Sequence, residues 1–70
     1  MENHDWFKLI QTEKLLTVYT VADRLKVSPS TIYRLIDEGK LKAVRLSERN
    51  VRVPESSLTA YLERLNREFF

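Results

Sequence analysis

The chain has no cysteine, one glycine, one histidine and two prolines among its 70 residues. Without thiols there is neither a disulfide framework nor a zinc ribbon to staple a small fold. Their absence fits a reducing compartment. The one histidine, His4, has no cysteine beside it and gives little from which to build an acid–base pair, a nucleophile or a metal centre. A single glycine, Gly39, rules out a glycine-rich phosphate loop. No apolar run approaches the roughly 20 residues that cross a bilayer. The opening Met1-Glu2-Asn3-His4-Asp5 also lacks the basic patch and apolar stretch of a signal peptide. The expectation is a cytoplasmic protein that is not an enzyme. No catalytic residue, metal, cofactor, small-molecule substrate or membrane partner is expected.

What is present is a globular composition, with 43% hydrophobic and 31% charged residues. A chain of this size supports one core. Such a core leaves only about 3–5 kcal/mol of net stability. The formal net charge of +2 is unevenly spread. Residues 1–19 carry two Lys against three acids, and residues 55–70 carry two Arg against three Glu. Between them, residues 20–54 hold eight cations (Arg24, Lys26, Arg34, Lys40, Lys42, Arg45, Arg49, Arg52) against Asp23, Asp37, Glu38 and Glu48. Positive charge concentrated in this way suits a phosphate backbone, although a solvated surface would also show it.

Hydrophobic spacing divides the middle of the chain into elements. Val18, Val21, Ala22 and Leu25 form one stripe of a short helix. Thr17 is its N-cap, and Leu16 and Val21 have the spacing of a hydrophobic staple. The helix should end near Leu25 or Lys26. A second helix opens at once, with Ser28 as N-cap and Pro29 in the first helical position. Val27 and Ile32 repeat the staple, Ile32, Leu35 and Ile36 form the buried stripe, and Gly39 ends the helix. Two helices this close in sequence must cross steeply, as in a helix-turn-helix.

Beyond Gly39 the period becomes two. Leu41 to Leu46 reads as a strand with Val44 and Leu46 on one face and Arg45 on the other. Val51-Arg52-Val53 is its partner, with both valines inward and Arg52 on the same side as Arg45. Ser47 to Asn50 makes the turn, where Asn50 tolerates a positive φ best. Pro54 stops the strand. A last helix from about Glu55 to Asn66 carries Leu58, Tyr61, Leu62, Leu65 and Phe69 on one face, read as core. The fold class is mainly α with a two-stranded β-hairpin, a winged helix-turn-helix over residues 15–70. Residues 1–14 form an N-terminal extension in which Trp6, Leu9 and Ile10 have the spacing of a short docking turn. The roles of Trp6-Phe7 and Phe69-Phe70 stay open.

The residues in this order resemble the excisionase-type helix-turn-helix family, related to the DNA-binding domains of MerR regulators. The resemblance rests on Leu15-Leu16-Thr17-Val18, Val21-Ala22, Leu25, Val27-Ser28, Thr31 to Ile36, and Gly39-Lys40-Leu41. Ala43-Val44-Arg45, Arg49, Arg52-Val53-Pro54 and Leu58 through Leu62 complete it. It spans roughly residues 15–62 and implies a sequence-specific double-stranded DNA-binding protein. The function implied is a recombination directionality factor that binds and bends DNA beside a recombination site, with an integrase as partner and cooperative binding or self-association on DNA. A small transcriptional regulator is the alternative within DNA binding. A protein-interaction module that kept the fold is the alternative outside it. Where the family usually has acidic residues the chain has Tyr19 and Thr20, and its wing turn contains Glu48 but no glycine.

The second helix then supplies the recognition set, Ser28, Ser30, Thr31, Tyr33 and Arg34. Arg34 is the candidate for direct readout, since a guanidinium can bond guanine O6 and N7 together. A phosphate contact, or an ion pair with Asp37 or Glu38, is its other use. Ser30 and Thr31 meet base edges or merely cap the helix. Tyr33 reaches a phosphate or packs against the wing. Lys42, Arg45, Arg49, Asn50 and Arg52 form the wing set, set against the bland use of charge to protect a strand edge. The resemblance places the start of the first helix near phosphate, which adds Thr17 and Tyr19 as backbone contacts.

Overall fold

The computed structural model describes residues 14–69. The proposed turn at Trp6, Leu9 and Ile10, and the role of Phe70, lie outside the described residues. The elements are β1 (Leu15–Thr17), α1 (Val18–Leu25), α2 (Pro29–Asp37), β2 (Val44–Ser47), β3 (Asn50–Pro54) and α3 (Glu55–Phe69). The helix-turn-helix followed by a hairpin and a last helix is the architecture the sequence implies. The sheet has three strands rather than two, antiparallel in the order β1-β3-β2. Leu15–Thr17 is too short to show a period, yet it pairs with β3 through Leu16 opposite Val53 and Thr17 opposite Arg52. The ladder continues as the Glu55 N–H donates to the Lys14 carbonyl at 3.0 Å.

One core joins β1, the three helices and β3, while β2 stays outside it. Leu16, Val18, Val21, Ala22, Ile32, Leu41, Val51, Val53 and Leu58 are buried, with Leu25, Leu35, Ile36, Ala43 and Tyr61 packed around them. Each large side chain fully removed from water contributes about 1.5–3 kcal/mol. No polar or charged side chain is buried among the described residues.

Local chemistry explains both helix starts. The Thr17 hydroxyl accepts from the Thr20 N–H at 3.0 Å and donates to the Thr20 hydroxyl at the same distance. The second bond ties the two threonines together where an acidic residue would close a capping box. Ser28 accepts from the Thr31 N–H in α2. Leu16 and Val21 are both buried, whereas Val27 is exposed and leaves its partner Ile32 to the core alone.

Both helices end in the same double closure. At α2, the Gly39 N–H bonds Ile36 O and the Lys40 N–H bonds Leu35 O, with Gly39 at φ 75°. At α1, the Lys26 N–H bonds Asp23 O and the Val27 N–H bonds Ala22 O, with Lys26 at φ 59°. This is the Schellman arrangement, which needs a left-handed residue. Gly39 meets that need freely; Lys26 adopts it with a Cβ in place.

The wing departs from the expected register. Val44 opposes Arg52, Arg45 opposes Val51, and Ser47 opposes Asn50, with a register shift between Arg45 and Ser47. Opposed residues share a face, so Arg45 and Arg52 lie on opposite faces of the sheet, not one. The shift also removes Leu46 from the alternation and leaves it 55% exposed. Asn50 has no positive φ; among the described residues only Lys26 and Gly39 do. Two-residue hairpin turns match strand twist best with positive φ at their centre. A turn at Glu48-Arg49 without it is accommodated by the extra residue on β2. Leu41 is buried ahead of the strand rather than within it.

The last helix runs three residues beyond the expected end and outgrows the core. Leu58 is buried and Tyr61 and Leu65 are half-buried, but Leu62 and Phe69 are exposed, the latter by 71%. The apolar stripe is therefore core only in its first turns.

Candidate nucleic-acid interface

The recognition set divides into a capping cluster and an outward ridge. The Ser28 hydroxyl lies 3.2 Å from the Ser30 hydroxyl and 3.1 Å from that of Thr31. These three groups satisfy one another at the start of α2, and any base contact must share them. Ser30, Tyr33 and Arg34 follow the spacing of one helical face and are all exposed. The Arg34 side chain makes no hydrogen bond or ion pair among the described residues; the nearby Glu38 instead pairs with Lys40 at 3.4 Å. Its guanidinium projects unengaged from a helix whose opposite side, through Ile32, is fully buried.

Beside this ridge the chain forms a cleft of about 240 Å³. Thr17, Val18 and Tyr19 line it from the start of α1, Tyr33 from α2, and Arg49, Asn50, Val51 and Arg52 from the wing. Six residues assigned to three separate parts of the sequence thus meet in one place. Tyr19 is 67% exposed and Tyr33 40% exposed, so both side chains stand at the surface. The Tyr33 position reconciles its two suggested uses, since it reaches toward the wing without being buried by it. Two arginines, two tyrosines and an asparagine thus line one cleft by the N-terminal end of α1, residue types able to donate to an anion.

The wing arginines are not equivalent. Arg52 donates to the Val51 carbonyl at 3.0 Å, and Arg45 to the Glu48 carbonyl at 3.0 Å. Arg49 makes no such bond among the described residues. The Asn50 amide donates to the Ser47 hydroxyl at 2.7 Å and braces the turn. Arg45 does not line the cleft. Neither does Lys42, which lies at the base of the hairpin beside α3. Sequence reading missed this separation because Lys42 precedes the wing by only two residues. It also missed the Arg24–Glu55 pair at 3.5 Å, an exposed contact between α1 and α3 that no local pattern announces.

Among the described residues no group of His, Cys, Asp or Glu side chains could hold a metal ion, and no helix is long and apolar enough to cross a membrane.

A family model described as a helix-turn-helix domain matches residues 15–66, most of the chain. The excisionase of Mycobacterium phage D29 is 44% identical over 46 residues, covering 66% of this chain and 82% of the phage protein. The chain belongs to the excisionase-type helix-turn-helix family. The family match takes in every residue of the ridge and the cleft. Its span agrees closely with residues 15–62, on which the resemblance was drawn, and extends into the second half of α3.

Proposed function

We propose that the chain is a sequence-specific double-stranded DNA-binding protein acting as a recombination directionality factor. The observation that carries this reading is the meeting of the α2 ridge with the anion cleft. One element presents Arg34 to base edges while the next presents Tyr19, Tyr33, Arg49 and Arg52 to phosphate. Contacts of the second kind set register and give salt-dependent affinity; contacts of the first kind specify sequence. The similarity to a phage excisionase supports recombination over promoter control. The protein acts by binding, without catalysis or cofactor, on DNA in the cytoplasm.

A single small winged domain covers too little DNA to be highly selective alone. Several copies therefore occupy adjacent sites cooperatively and bend the DNA for an integrase partner. Selecting genomic fragments on the purified protein and sequencing them tests the reading. Short repeated sites at the ends of integrated elements are expected. Sites confined to promoters would reassign the protein as a transcriptional regulator. Recovery no better than a non-binding control, at low as well as physiological salt, would leave a fold turned to protein partners.

A further inference from the structure

The last turns of α3 run past the core, and one side of the helix there meets no other element among the described residues. Thr59, Leu62, Glu63, Asn66 and Arg67 have the spacing of a single helical face and line a shallow groove of about 410 Å³. Every residue of this groove belongs to α3, and all five are exposed. Phe69, also exposed, continues the Leu62 edge of the face two turns further along. The Glu63, Asn66 and Arg67 side chains make no hydrogen bond or ion pair among the described residues. Glu63 and Arg67 stand one turn apart, a spacing at which opposite charges pair within a helix, yet they remain separate.

The face has two unlike edges. Leu62 and Phe69 form an apolar edge, Glu63 and Arg67 a charged one, and Thr59 and Asn66 lie between them. A two-fold axis between antiparallel helices brings each edge against its own copy. A parallel pair would set the apolar edge against the charged one. Glu63 opposite the second copy's Arg67 puts the axis at residue 65. Leu62 opposite the second copy's Phe69 puts it between residues 65 and 66. At 1.5 Å per residue, the two edges thus ask for one register to within about 1 Å. That register also brings the two Asn66 amides together beside the axis, and a polar residue at a helix seam fixes register.

We propose that this face of α3 binds a second copy of the chain, antiparallel and two-fold symmetric. A strongly acidic or strongly basic partner would match only one of the two charges. A second copy satisfies both and covers Leu62 and Phe69 as well. Centred at residue 65, the overlap runs from residue 61 to residue 69, roughly 13 Å of helix. That is short for a permanent dimer, so the pairing is weak. On the DNA-binding reading above, on which this consequence rests, neighbouring sites raise the local concentration of copies, and weak pairing then suffices for cooperativity.

The chain contains no cysteine, so single cysteines report the register directly. Asn66→Cys, oxidised mildly without DNA, should form a disulfide-linked dimer about tenfold faster than Thr59→Cys, whose counterpart across the axis falls beyond the end of α3. In the Asn66→Cys background, Glu63→Arg or Arg67→Glu alone sets like charges opposite each other and should lower the rate to that of Thr59→Cys. An equimolar mixture of those two variants restores opposite charges across the axis and should recover the Asn66→Cys rate to within about threefold. All these positions are exposed, and a thermal melt of each variant checks that the fold is kept. Equal rates at positions 59 and 66, or a mixture no faster than its components, would overturn the proposal and leave the face to a different protein. Because no DNA is present, that failure would not touch the DNA-binding reading.

Discussion

The helix pair and the wing present the same kind of charge by different means. Arg34 stands unengaged on α2, a helix held by a capping cluster at one end, a glycine closure at the other and the fully buried Ile32 beneath. Arg52 and Arg45 project from a hairpin in which only β3 reaches the core, and each is bonded to a carbonyl of its own hairpin. A free cation on a rigid base can be aimed at one base pair. A cation already bonded to backbone keeps its direction but must share or exchange that bond to reach DNA. On the DNA-binding reading proposed above, the helix discriminates through Arg34, and Arg45 and Arg52 of the wing serve placement.

The largest effect that would break this contrast lies in the core under the helix. Ile32→Ala should cost about 2–5 kcal/mol. In a domain this small, that leaves most of the chain unfolded in a thermal or urea melt. A melt like that of the parent would mean α2 is not the anchored element. Next in size, Arg34→Ala should lose about 1–3 kcal/mol of discrimination between cognate and random duplexes. Arg52→Ala should weaken both duplexes alike and lower the salt slope by about one. Equal losses on both duplexes for Arg34→Ala, or a selective loss for Arg52→Ala, would reverse the assignment.

The two closures offer a smaller, paired test. Gly39→Val should destabilise the fold by at least about 1–2 kcal/mol, because a β-branched side chain resists positive φ. Lys26→Gly should stabilise it by up to about 1 kcal/mol, since the same left-handed conformation is relieved of its Cβ. Opposite shifts in melting temperature are expected, and shifts of the same sign would contradict the shared geometry. Smallest of all, Leu46→Ser in the wing should alter stability by less than about 0.5 kcal/mol, as befits an exposed residue displaced from the ladder. A loss above 1 kcal/mol would show the wing to be held by more than β3.

The helix pair was legible in the sequence because its signals are local. Thr17, Ser28, Pro29 and Gly39 mark their own positions, and the stripes of Val21 and Ile32 fix the buried faces without knowledge of anything distant. The wing was legible as a hairpin but not in its register. The extra residue at Leu46 answers to a turn conformation that neither Glu48 nor Arg49 declares, and a one-residue shift sends Arg45 to the opposite face from Arg52. The third strand was missed because three residues carry no period, and its pairing with β3 joins segments far apart in the chain. The α3 stripe misled for another reason. Its apolar spacing is regular through Phe69, but the core it would cover ends after the first turns. Of the site, the sequence supplies the candidate residue types; that Tyr19, Tyr33 and Arg49 share one cleft while Lys42 lines another depends on packing across the whole domain.

The most direct test of the central claim is an NMR titration of ¹⁵N-labelled protein with one equivalent of a selected duplex, followed at backbone and arginine side-chain signals. The account predicts the largest shifts at Ser30, Tyr33 and Arg34 on the ridge and at Thr17, Tyr19, Arg49 and Arg52 around the tip cleft, with Arg34 shifts that differ between cognate and random duplex. Shifts that spare the ridge and gather on the exposed side of α3, or no shifts at low salt, would contradict it.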